Sequence, residues 1–64
     1  MKVYYSVVTK VYDNGRVECN LDGCKSFEER PENTCVGLAG YDLYMDFFET
    51  EKEAKEFVQE AWTA

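Results

Sequence analysis

The chain has no histidine, a single proline, and seven basic residues against thirteen acidic ones. Each shortage excludes something. Without histidine, a cysteine nucleophile lacks its usual base, and zinc loses its commonest nitrogen ligand. The three cysteines are spaced C-x4-C-x10-C (Cys19, Cys24, Cys35), with no close pair of the kind structural zinc sites use. Three thiolates also leave a tetrahedral site one ligand short. No glycine-rich phosphate loop is present, and so small a domain has little room for a substrate cleft. The expectation is a chain with no catalytic residues, no metal and no cofactor.

Long apolar runs are missing too. "MKVYYSVVTK" lacks the unbroken apolar core of a secretory signal, and no later run is long enough to span a bilayer. These features predict a cytoplasmic protein with no membrane partner, whose cysteines are reduced thiols. The odd cysteine count fits poorly with a closed disulfide framework. Cys24 and Cys35 flank a charged loop, and nothing in their spacing requires them to pair.

What is present reads as one domain over residues 1–64, near the lower limit for folding alone. Apolar residues are 45% and aromatics 16%, which excludes disorder on composition. A chain of this size gains core by self-association, so a homodimer is expected. The net charge is −6 and lopsided. Residues 1–31 balance five acids with five bases, whereas residues 32–64 hold eight acids against Lys52 and Lys55. Such a field repels phosphates, so the expected partner is a protein with a basic surface and not nucleic acid.

Along the chain, Lys2–Tyr12 is rich in Val, Tyr and Thr, which suit a strand. Its odd positions (Val3, Tyr5, Val7, Thr9, Val11) are the more apolar and are expected to face the core. "YDNGRV" announces a hairpin, because Asn-Gly tolerates the positive φ of tight turns. A three-residue loop Asp13-Asn14-Gly15 pairs Val11 with Val17, Thr9 with Cys19 and Val7 with Leu21, and sets Lys10 against Glu18. A two-residue loop would put Glu18 and Asn20 beside Val11 and Thr9. A one-residue slip reverses every side chain, so the apolar match selects the longer loop.

"DGCKSFEERPEN" reads as a turn and exposed loop, with the second strand extending toward Phe27. "TCVGLAG" reads as a lead-in to the next strand or a bulge. The third strand, about Tyr41–Phe48, alternates Tyr41, Leu43, Met45 and Phe47 with Asp42, Tyr44, Asp46 and Phe48. "TEKE" is a capping box: Thr50 accepts from the Glu53 N–H while the Glu53 carboxylate returns to the Thr50 N–H. Ala54, Phe57, Val58, Ala61 and Trp62 then form one helical stripe. The fold class expected is α+β: a three-stranded antiparallel sheet, made of a hairpin and a third strand, with one C-terminal helix on one face. That helix should cover Val3, Val7, Leu43 and Met45.

One helix covers one face, so the other is left open. On these assignments it carries Tyr4, Val8, Tyr12, Tyr44 and Phe48 among Asp42 and Asp46. These seven residues are the expected partner-binding surface, since tyrosine supplies contact area at low entropic cost. Base stacking on such a face would be opposed by Asp42, Asp46 and Glu18.

Taken together, "YYSVVTKVYDNGRVE", the "RPEN" loop and "YDLYMDFFETEKEAKEFVQEA" resemble small acidic proteins of low-GC Gram-positive gut bacteria, their phages and mobile elements. The resemblance spans most of the chain and carries no catalytic residues. It implies a phage or mobile-element setting, in which short acidic proteins resemble anti-defence inhibitors of the anti-CRISPR kind. The expected function is a non-enzymatic inhibitor binding a basic surface of a host nucleic-acid-handling defence protein. The alternative is a homodimeric structural or adaptor protein without inhibitory activity.

Overall fold

In the computed structural model, which describes residues 1–63, the β-branched and aromatic run at the start forms β1 (Lys2–Tyr12). The chain returns as β2 (Val17–Phe27). Gly15 takes φ +90°, and the turn is closed by Tyr12 N–H to Arg16 O (2.8 Å) and Gly15 N–H to Tyr12 O (2.9 Å). The Asn14 side chain accepts from the Arg16 N–H at 2.9 Å. Val11 therefore faces Val17, Thr9 faces Cys19 and Val7 faces Leu21, the register of the three-residue loop. Past Leu21 the pairing shifts, so that Ser6 meets Gly23 and Asp22 bulges out of the ladder.

The sheet has four strands, not three. "TCVGL" forms β3 (Thr34–Leu38), which turns through Ala39-Gly40 into β4 (Tyr41–Phe48). Gly40, at the second central position with φ +90°, supplies the positive φ of a type II turn. Two glycines and a cysteine in seven residues hid the alternation Thr34, Val36, Leu38. The strand order is β2-β1-β4-β3, and every neighbouring pair is antiparallel.

Two residues, Glu49 and Thr50, separate β4 from α1 (Glu51–Thr63). Thr50 Oγ1 accepts from the Glu53 N–H at 3.2 Å, as a capping box requires. The Glu53 carboxylate differs from expectation: it accepts from the Thr50 hydroxyl at 2.9 Å and not from the Thr50 N–H. The helix lies chiefly over β2 and β1. Its Ala54 meets Val7 and Cys19 in a fully buried centre, ringed by Tyr5, Phe48, Phe57, Val58 and Ala61. The Trp62 indole N–H donates to the Cys19 carbonyl. Because Tyr12 and Arg16 are a hydrogen-bonded pair, alternation leaves Cys19 with its carbonyl toward the free edge of β2. Trp62 thus caps that edge while remaining half exposed.

The odd face of β1 lies beneath the helix as expected, although Val3 is exposed at its end. The faces of β4 are the reverse of expectation. Its register sets Phe48 beside Tyr5, Asp46 beside Val7 and Met45 beside Val8, and directly opposed residues share a face. Leu43 and Met45 therefore lie away from the helix, and Asp42, Tyr44, Asp46 and Phe48 lie on its side. With only two linking residues, the strand's last side chain lands under the helix, where the Phe48 ring stands 5.2 Å from that of Phe57.

Candidate binding surface

The face without the helix is built from alternate residues of all four strands. β1 contributes Tyr4, Ser6, Val8, Lys10 and Tyr12, and β4 sets Phe47, Met45, Leu43 and Tyr41 opposite the last four of these. β3 adds Thr34, Val36 and Leu38, paired with Met45, Leu43 and Tyr41. β2 adds Glu18 and Asn20, then Lys25 and Phe27 beyond the bulge. Val36 and Leu38 are 47% and 44% exposed. An aliphatic centre with aromatic ends is thus left uncovered by the fold's own helix.

One end of this face is sealed. Tyr4 is 5% exposed, with the Phe27 ring 5.9 Å away and the Arg30 guanidinium 5.8 Å from its centroid. Phe27 also stacks edge-on to Phe47 at 5.7 Å. The loop between β2 and β3 is pinned there, since Asn33 Oδ1 accepts from the Phe47 N–H at 2.9 Å. Glu49 joins Lys2 at 2.9 Å and Arg30 at 3.5 Å. The hydrogen bond between Lys2 and Glu49 holds the lysine above its ordinary pKa and the carboxyl below its own.

Beside this seal the bulge at Asp22 and the small Ser6 and Gly23 leave a cleft of about 360 Å³, walled by Tyr4, Phe27, Met45 and Phe47. The Ser6 hydroxyl points at Asp22 Oδ2 (3.3 Å) and the Gly23 carbonyl (3.5 Å). Toward the other end, Tyr12 and Tyr41 stack at 5.4 Å, and Lys10 lies 5.6 Å from the Tyr41 centroid. Tyr12 donates to Glu18, which also pairs with Arg16 at 3.0 Å.

The seven residues expected to form one surface are divided between two. Tyr4, Val8 and Tyr12 are on the open face, Tyr4 as its buried floor. Asp42, Tyr44, Asp46 and Phe48 are on the helix side. There Phe48 belongs to the core. Asp46 is half buried, and its loss of water pushes the carboxyl pKa up. Tyr44 is exposed, and its hydroxyl pKa is raised by a hydrogen bond to Cys35. The open-face residues that sequence reasoning placed elsewhere are Leu43, Met45, Tyr41 and Phe47 of β4, and Val36 and Leu38 of β3. The alternation of β4 contained the first four, but on the face assigned to the core.

Charge divides along the same line. The helix side carries Asp42, Asp46, Glu51, Glu53, Glu56 and Glu60 against Lys52 and Lys55, a net of −4. Both lysines are already paired, Lys52 with Glu56 at 3.9 Å and Lys55 with Glu51 at 2.6 Å. The open side carries Lys2, Lys10, Arg16, Lys25 and Arg30 with the acids that bond to it, Glu18, Asp22 and Glu49, a net of +2. The remaining acids, Asp13, Glu28, Glu29 and Glu32, lie in the turn and the loop.

Cys19 is a buried thiol, and Cys24 and Cys35 are exposed free thiols. Among the described residues no three His, Cys, Asp or Glu side chains cluster as a metal site would require, and no helix is long and apolar enough to cross a membrane. No family model matches this chain, and neither a curated protein nor a solved structure matches it.

Proposed function

We propose that this chain is a non-enzymatic interaction module that docks its helix side onto a basic protein surface. The observation that carries this reading is the charge division: a net of −4 on one layer of a 64-residue chain. Glu53, Glu56 and Glu60 follow one another at helical spacing beside the buried stripe, so they present one acidic row. Asp42 of β4 lies on the same side of the sheet, and neither Asp42 nor Glu60 has an ion-pair partner among the described residues. A surface of that kind complements a groove that ordinarily holds phosphates. Its main effect is on association rate and partner choice.

On the resemblance drawn from the sequence, the partner is a nucleic-acid-handling defence protein of a bacterial host, met in the cytoplasm, and the module inhibits it. The test compares wild type with an Asp42→Asn, Glu53→Gln, Glu60→Gln variant as immobilised bait in bacterial lysate. Wild type should retain a nucleic-acid-handling protein that salt and free polyanion release, and the variant should lose it. Equal retention by both, or none by wild type, overturns the reading. The alternative of a homodimeric adaptor draws its support from the uncovered sheet face.

A further inference from the structure

We propose that the open sheet face is covered by a second copy of this chain, the two sheets packing face to face with both helices outside. The two-fold axis runs parallel to the strands, between β1 and β4. This association does not depend on what the helix side binds.

Four observations favour a second copy as the occupant. The first is the shortage of core: among the described residues only Tyr4, Val7, Cys19 and Ala54 are buried, which is slight for independent stability. The second is area. At about 3.3 Å per residue and about 4.8 Å per strand, three strands over the length of β4 and the five residues of β3 give roughly 460 Å² of flat face. Two such faces remove about 900 Å² from water, the size of a weak, concentration-dependent association.

The third is charge. Asp42 and Asp46 would meet their symmetry mates in a face-to-face pair only if they were on this face, and they are on the other. The acid–acid repulsion that a sequence-based view attaches to this dimer is therefore absent; what remains is the face's own net of +2, held down where Glu49 pairs with Lys2 and Arg30 and Glu18 pairs with Arg16. The axis along the strands also sets β1 over the partner's β4, so Lys10 lies over the partner's Leu43 and apart from the partner's Lys10.

The fourth is shape. Rotation about that axis keeps each residue at its own level along the strands. Since Val8 is level with Met45 and Ser6 with Phe47, Met45 packs on the partner's Val8, and Phe47 reaches over the partner's Ser6. Ser6 lines the cleft of about 360 Å³ that the bulge opens. A bulky row on β4 thus meets a β1 row that narrows where the ring arrives, the interdigitation that aligned sheets use.

The experiment is sedimentation equilibrium of the full chain at micromolar concentration, paired with cross-linking. Wild type should give double the 7.4 kDa of one chain. Met45→Lys should give a monomer, and Tyr44→Ala, on the opposite face, should stay dimeric. To separate loss of the dimer from loss of the fold, a second arm uses milder changes in a Cys24→Ser, Cys35→Ser background. Val8→Cys and Met45→Cys chains treated with a short bismaleimide should each give a covalent dimer, and Tyr44→Cys, on the opposite face, should give none; cross-linking through Tyr44→Cys alone overturns the proposal. A wild-type monomer overturns the proposal, as does a dimer that survives Met45→Lys, which would move the contact to the β3 edge. Tight binding of a fluorescent oligothymidylate by monomeric wild type also overturns it, because Lys10 and Lys25 beside Tyr41 and Phe27 would then be serving nucleic acid.

Discussion

Replacing Thr50 by alanine removes one side chain that makes two bonds at the start of α1. Its Oγ1 accepts from the Glu53 N–H at 3.2 Å, and its hydroxyl donates to the Glu53 carboxylate at 2.9 Å. The N–H returns to water, since Thr50 is exposed; the loss is therefore that of an ordinary cap, about 1 kcal/mol. The carboxylate stays in the first turn, where the helix dipole still favours it, so no second penalty of that size follows. An unfolding entropy of about 2.1 cal/mol/K per residue gives about 0.13 kcal/mol/K for a chain this short. The melting temperature should then fall by roughly 7 °C. The assay is thermal unfolding followed by far-UV circular dichroism, with Thr50→Ser as a control that keeps the cap and most of the stability. An unchanged midpoint for Thr50→Ala would refute the cap and the helix boundary drawn from it.

Phe48→Ala should cost about 3 kcal/mol, the low end for a core phenylalanine, because its ring packs on Phe57 beside the buried centre. Leu43→Ala, on the uncovered face of a monomer, should cost far less at dilute concentration, and chemical denaturation of the two variants compares them directly. Asp46→Asn should raise the melting temperature at neutral pH. Burial lifts the folded-state pKa of Asp46, so its carboxylate opposes folding above that pKa, and the penalty disappears as pH falls through it. The gain from Asp46→Asn should therefore vanish at acidic pH. Glu49 has the opposite sign: its pKa is lowered in the folded state, so its contribution is present above the ordinary carboxylate range and lost as pH falls through the folded value. Lys2→Ala should flatten that acid-side slope. Neither EDTA nor reductant should shift the wild-type melting curve if the three thiols are purely structural.

Elements with a local chemical cause were legible in the sequence. Asn14-Gly15 fixed the hairpin, and the apolar match of Val11, Thr9 and Val7 with Val17, Cys19 and Leu21 fixed its register. Thr50 and Glu53 marked the start of α1, and Ala54, Phe57, Val58 and Ala61 marked its buried stripe. β3 was not legible, since Gly37 interrupts it and Ala39-Gly40 lacks the Asn or Asp that advertises a tight turn. The site was half legible. Tyr4, Val8 and Tyr12 followed from the β1 alternation, but β4 carries bulky apolar side chains on both faces. Leu43 and Met45 outrank Asp42 and Asp46 for burial on composition. The register with β1 and the two-residue link to α1 decided otherwise, and both are long-range facts.

The division of β4 between the two layers underlies the acidic helix side, the uncovered apolar face and the dimer alike. It is tested most directly by nuclear Overhauser effects from side chains of β4 to the helix. Strong effects are expected between the Phe48 ring and both the Phe57 ring and the Ala54 methyl group, with none between the Met45 methyl and any α1 side chain. Effects from Met45 or Leu43 to Ala54 and Phe57, with Phe48 silent, would contradict it.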